Sequence, residues 1–219
     1  MVNDLMASWG LRIKFVDDLT IMEILPRNSP SVLNFLVNDI QNFANTNNMR
    51  LNPTKCKCMT VDFLQYNSCK APQVVTGGAV IEEVSSFKLL GVNLSNDLSW
   101  GTHVDHLLKK ANRRLFALRQ LRRSSVPAED IVYIYCCLIR SILEYASTAF
   151  ANLPSYLSKT LESVQRRALA IIWPRHLYSD TLMLAGFETL DARHSAACES
   201  FISRIHNDNP LYCNLCRRS

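Results

Sequence analysis

The hydrophobic period of this chain changes once, near Asn96-Asp97, and that change limits the folds open to it. Before it, Leu11, Ile13 and Phe15 alternate with Arg12 and Lys14, the pattern of a half-buried strand. After it, Val104, Leu107, Leu108, Ala111, Leu115, Leu118 and Leu121 recur every three or four residues, which marks one side of a long amphipathic helix. The chain has 219 residues, 48% apolar and 20% charged, so it folds as one ordinary domain or two small ones. The expected fold class is α+β, mixed over residues 1–95 and all-α beyond.

Within the first part, two β-like runs flank Asp17-Asp18 and read as a hairpin with those two acids at its tip. Asn-Gly or Asp-Gly would make a better turn, because a type I′ turn needs positive φ at both positions. A local rule is broken there, as happens at functional sites. Asn28-Ser29-Pro30 reads as a helix start, with Ser29 capping and Pro30 at the first helical position. Val32, Phe35, Leu36, Ile40 and Phe43 give that helix its apolar side, and it should end within 45–48. Residues 57–65 read as a strand, Gly77-Gly78 as a turn between short strands, and residues 87–94 as a further strand.

In the second part, Pro127 restarts the chain as a helix with Glu129-Asp130 in its first turn, where the helix dipole favours acids. Ile131, Ile134, Leu138, Ile142 and Tyr145 continue it. Leu157, Leu161, Val164, Ala168 and Ile171-Ile172 mark the next helix, stopped at Trp173-Pro174. Shorter helices are expected at 179–185, ended by Gly186, and at 189–206. Trp9, Trp100 and Trp173 read as anchors of buried structure, and His103 and His106 as surface or capping histidines.

The net charge of +5 is concentrated in one place. Residues 1–105 sum to −2 and residues 129–219 to 0, whereas residues 106–128 carry seven cations and no acid. Lys109, Lys110, Arg113, Arg114, Arg119, Arg122 and Arg123 fall off the apolar side of the helix, as a phosphate-binding surface or a solvated basic face would. No window approaches the length of a transmembrane span, and the first residues lack a signal-peptide core, so an intracellular protein, nuclear or cytoplasmic and not secreted, is expected. The eight cysteines are irregularly spaced and read as reduced thiols. Cys213 and Cys216 have the spacing of half a zinc site, with only His206 and Cys198 nearby as further ligands.

Phe15-Val16-Asp17-Asp18 puts two hard carboxylates on a hairpin tip, a donor set suited to Mg²⁺. Lys14-Phe15-Val16-Asp17-Asp18-Leu19-Thr20 resembles the Tyr/Phe-x-Asp-Asp catalytic hairpin of reverse transcriptases, in particular those of jockey-like non-LTR retrotransposons. The resemblance runs along the chain. Val2-Asn3-Asp4-Leu5 looks like the end of the preceding palm helix, and Leu51-Asn52-Pro53-Thr54-Lys55-Cys56-Lys57 like the next palm motif. Phe87-Lys88-Leu89-Leu90-Gly91-Val92 is similar to the primer-grip strands. Leu98-Ser99-Trp100, Arg140-Ser141-Ile142-Leu143-Glu144-Tyr145-Ala146 and Gln165-Arg166-Arg167-Ala168-Leu169 resemble the thumb and the segment beyond it.

The resemblance implies a partial palm over 1–95, a helical thumb over 96–175 and a helical C-terminal tail over 176–219. It makes Asp17 and Asp18 ligands of Mg²⁺ or Mn²⁺ and sets Lys55 near the leaving pyrophosphate. Leu90 and Gly91 would lie against the primer end, with the cations of 106–128 along an RNA template–DNA primer duplex. Lys55 reads equally as a solvated loop lysine, and Gly91 as a strand glycine allowing close packing. The implied parent activity is RNA-templated DNA synthesis by two-metal nucleotidyl transfer. The third catalytic aspartate and the fingers are expected in an upstream half, so the chain alone is expected to be an incompetent polymerase fragment with an uncovered hairpin face. A non-catalytic nucleic-acid-binding module and a non-functional mobile-element remnant are the other readings.

Overall fold

A computed structural model describes residues 5, 9–26, 29–63 and 73–205. The protein is α+β, and its chain divides into two compact units. The first runs to Leu89 and includes Leu94–Leu98; the second takes Leu90–Asn93 and resumes at Ser99. The change from one unit to the other lies within residues 90–98. Leu190 belongs to the same apolar cluster as Val104 and Leu161.

The first unit is built from two-stranded ladders and one helix. Strands β1 (Arg12–Phe15) and β2 (Asp18–Ile21) pair antiparallel, as do β4 (Val75–Thr76) and β5 (Ala79–Val80). The β4–β5 turn is the expected Gly77-Gly78, with φ of 54° and 80°, values glycine adopts without a Cβ penalty. β3 is only Lys57–Cys58, shorter than the expected 57–65, because its parallel partner β6 is only Glu82–Glu83. Residues 64 and 65 lie outside the described residues. The strand expected at 87–94 is a hairpin, β7 (Ser86–Leu89) and β8 (Val92–Ser95), since Leu90 and Gly91 both take positive φ.

Helix α1 (Leu33–Thr46) starts later than Ser29-Pro30 suggests. The Glu23 carboxylate decides this: it accepts from Val32 N–H at 2.8 Å, one of the orphan donors of the N-terminus, and from the Ser31 hydroxyl at 2.7 Å, whose oxygen in turn accepts from Leu33 N–H at 3.2 Å. Asn28 lies outside the described residues. The buried side is Leu36, Val37, Ile40 and Ala44, rotated from the expected one, with Val32 and Phe35 exposed. Asn34 on α1 fixes β4 by accepting from Val75 N–H at 3.0 Å and donating to the Gln73 carbonyl at 2.9 Å. A lone two-stranded ladder is marginal in water, so this docking matters to the unit.

The second unit is helical. α2 (Gly101–Arg123) buries Val104, Leu107, Ala111, Leu115 and Leu118 and packs against α5 (Ser155–Ile172), which contributes Leu157, Leu161, Val164, Ala168 and Ile172. α3 (Ala128–Tyr135) runs through a π-helical segment (Cys136–Arg140) into α4 (Ser141–Glu144). Ile131, Tyr135, Ile139 and Leu143 are all fully buried at four-residue spacing. A regular α-helix drifts about 40° at each such step, and the wider π turn absorbs the drift. Leu138, expected on the core side, is thereby turned outward, and Tyr145, also expected there, is exposed where the chain leaves α4 in an extended conformation. A 3₁₀ turn (Ser147–Phe150), α6 (Tyr178–Ala185) and α7 (Leu190–Arg204) complete the unit. Gly186 ends α6 at φ 64°, as the sequence suggests, and Trp100 and Trp173 pack partly buried against the core. Among the described residues no helix is long and apolar enough to cross a membrane.

Buried polar groups tie the helices together. Gln165 accepts from Tyr135 Oη at 2.9 Å and donates to the Glu188 carbonyl at 3.0 Å and to Tyr178 Oη at 3.2 Å. Arg193 grips Glu144 through two nitrogens, and the Arg140 guanidinium lies 4.4 Å over the Phe187 ring. His103 is fully buried rather than superficial. Its Nδ1 accepts from Asn93 N–H at 3.2 Å, and its ring meets Phe150 edge-on at 5.0 Å. His194 meets the same Phe150 at 5.7 Å. Both Nε2 atoms lack a hydrogen-bond partner among the described residues.

Burial pushes the pKa of both imidazoles down, with the charge of His106 adding to the effect at His103. A histidine held neutral in the fold is free to take a proton only once unfolded. Stability is therefore full above the ordinary histidine pKa of about 6.5 and is lost as pH falls below it. Urea midpoints of the protein should fall progressively through that window, and those of His194→Phe should fall less steeply.

Candidate functional site

The hairpin tip differs from the expected one by a residue. Phe15 pairs directly with Asp18, so the two-residue turn is Val16-Asp17 and Asp18 is the first residue of β2. Val16 takes φ 55°, a region that costs a β-branched residue about 1–2 kcal/mol, and it is exposed, so burial does not offset the strain. Cross-strand pairing puts Asp18 on the same face as Phe15, Ile13 and Thr20. On that face Ile13 and Phe15 are 51% and 59% exposed, which matches the uncovered apolar hairpin face expected from sequence.

Asp17 and Asp18 are both exposed. Among the described residues no group of three or more His, Cys, Asp or Glu side chains is arranged to hold a metal. The tip carries two exposed carboxylates, one in the turn and one on β2. Mg²⁺ is commonly held by one or two carboxylates, with water and phosphate oxygens completing its shell, so these two residues suit such an ion.

Lys55 stands on another turn of the same unit. Asn52 Oδ1 accepts from Thr54 N–H at 3.1 Å and from the Thr54 hydroxyl at 2.6 Å, and Lys55 N–H donates to the Asn52 carbonyl at 3.1 Å. This is an Asx-type turn that leaves the lysine exposed. Among the described residues no ion pair joins Lys55 to Asp17 or Asp18.

Leu90 and Gly91 form the β7–β8 turn, with φ of 47° and 88°. Tyr145 Oη donates to the Leu90 carbonyl at 2.7 Å, and a Cβ on Gly91 would come 3.0 Å from Tyr145 Cε1. Gly91 is therefore needed for close packing against that ring. Tyr145 makes this contact from the extended residue that ends α4, and the sequence carries no signal for it.

Six of the seven expected cations, Lys109, Lys110, Arg113, Arg119, Arg122 and Arg123, are exposed along α2. Arg114 is half-buried and donates to the Leu138 carbonyl at 2.6 Å, in the middle of the π segment where helical hydrogen bonding is irregular. Its position on the helix, between the cationic and the apolar sides, explains this use. Asp105, one turn before Lys109, is the sole acid in the α2 sequence. Phe116, also overlooked from sequence, stands exposed among the cations; its place off the heptad-like apolar positions was the available signal. Residues 2–4 and Cys213, Cys216 and His206 lie outside the described residues.

Comparison with protein-family models, with curated proteins and with solved structures gives no match.

Gly91→Ala combines a strained φ with a Cβ 3.0 Å from the Tyr145 ring, closer than ordinary van der Waals contact, and should lower the stability of the helical unit by about 2 kcal/mol in urea unfolding. Tyr145→Ala in the same chain should recover part of that loss by removing the steric conflict.

Proposed function

We propose that this chain is the metal-binding hairpin and the duplex-gripping thumb helix of a reverse transcriptase of jockey-like non-LTR retrotransposons. Its partner is an RNA template–DNA primer duplex, and the polymerase to which it contributes carries out RNA-templated DNA synthesis. The observation that carries the reading is the division of α2 into a buried side, apolar apart from His103, and an exposed side with six cations. A helix that tracks a duplex of any sequence needs cations facing phosphates and no base-specific side chains. The ordered resemblances along the chain and the exposed Asp17-Asp18 pair support the catalytic half of the reading.

In that reading Asp17 and Asp18 bind Mg²⁺ or Mn²⁺. The bound ion supplies neutralisation of charge on phosphoryl oxygens. The exposed ammonium of Lys55 balances charge on pyrophosphate, and the Leu90-Gly91 turn, fastened by Tyr145, positions the primer end. A second reading, a nucleic-acid-binding module without catalysis, is favoured by one fact: all six exposed cations of 106–128 belong to the helical unit and none to the unit of the hairpin.

Binding of an RNA–DNA hybrid, followed by fluorescence anisotropy over a salt series, tests both. If about half of the exposed cations meet phosphates, the log–log salt slope should be about −3. The variant K109E/K110E/R113E/R119E, which leaves Arg114 on its carbonyl, should abolish binding while its melting temperature is retained. Unchanged affinity would remove both readings.

A further inference from the structure

Phe116 is the one large aromatic on α2, and nothing in the described fold uses it. It is 59% exposed, while its neighbours Leu115 and Leu118 are buried to within about a percent. Among the described residues it takes part in no ring pair or cation–π contact and does not belong to the apolar cluster. Residues three and four apart are neighbours on a helix surface. Around Phe116 those neighbours are Asn112, Arg113, Arg119 and Gln120: two cations and two amides, one of each before the ring and after it.

A helix that only tracks the phosphates of a duplex has no use for an exposed ring at the centre of its cationic side. Bare phenyl surface in water is unfavourable there, and the surrounding charge rules out an apolar protein partner as the natural cover. A polyanion whose units also carry flat π-faces satisfies both features at once. Insertion into a duplex would first require a base step to be unstacked, at a cost of a few kcal/mol. An unpaired base offers its face without that cost.

We propose that Phe116 stacks on an unpaired base, with Arg113 and Arg119 pairing with the phosphates on either side of the stacked nucleotide, so that the α2 face takes a single-stranded segment of RNA or DNA. The proposal rests on the reading of α2 as a nucleic-acid surface and adds an unpaired segment to the duplex that this surface takes. Asn112 and Gln120 lie within reach of the edge of the stacked base and donate or accept without fixing its identity, which makes the site tolerant of sequence.

The test compares a fluorescein-labelled oligouridine with a blunt-ended RNA–DNA hybrid, each titrated with the full chain. Phe116→Ala should weaken binding of the single strand about ten-fold and leave hybrid binding unchanged. Phe116→Trp should restore single-strand affinity, whereas Phe116→Leu, apolar but without a π-face, should behave as Phe116→Ala. Melting temperatures should be equal throughout, since the side chain is exposed. If the charge-reversed variant loses both probes but Phe116→Ala loses neither, or loses both equally, the stacking proposal is overturned and the nucleic-acid reading stands. If the unsubstituted chain binds neither probe, both fall.

Discussion

Helix α2 buries Val104, Leu107, Ala111, Leu115 and Leu118 in the helical unit, mainly against α5, and the remaining features of that unit follow from which side is thereby committed. The cations are kept on the outside because charged groups cannot be buried unpaired. Arg114, at the margin between the two sides, is drawn onto the Leu138 carbonyl. That carbonyl lies in the π segment, which lets Ile131, Tyr135, Ile139 and Leu143 all reach the same core. One packing decision thus orients a cationic surface and supports an irregular helix through Arg114.

The hairpin unit is organised differently. Its ladders are short, its apolar side chains are often exposed, and its best packed element is α1 with Leu36, Val37, Ile40 and Ala44. Of the two acids at the hairpin tip, Asp17 shares the turn with a strained Val16, and Asp18 lies on the face whose apolar residues Ile13 and Phe15 are in contact with water. Strain and exposed apolar area at one place are expected where a local structure serves something other than its own stability. The proposed metal-binding role supplies such a use.

Elements governed by local chemistry were legible in the sequence. Helices α2, α5 and α6, the Gly77-Gly78 turn and the Gly186 stop all follow from period, capping and glycine conformation. What was not legible depended on groups distant in sequence. The start of α1 is decided by Glu23, ten residues before Leu33. The lengths of β3 and β6 set each other. The π turn had a signal, the four-residue spacing from Ile131 to Leu143, but a 3.6-residue template passes over it. For the candidate site, the sequence indicated the acids and the cationic helix. It gave no sign that Arg114 is occupied or that the hairpin turn is Val16-Asp17, because both depend on pairing that only the folded chain supplies. His103 illustrates the same limit, since its burial depends on Asn93 and Phe150.

The central claim, that the exposed side of α2 is a nucleic-acid surface, is tested most directly by photo-crosslinking. A thiouridine-containing RNA annealed to a DNA primer, with an unpaired template overhang, would be irradiated with the chain and the adducts mapped by peptide mass spectrometry. Crosslinks concentrated on α2 between Lys109 and Arg123 are the predicted result. Crosslinks confined to other helices, or their absence at concentrations where the hybrid is bound, would contradict it.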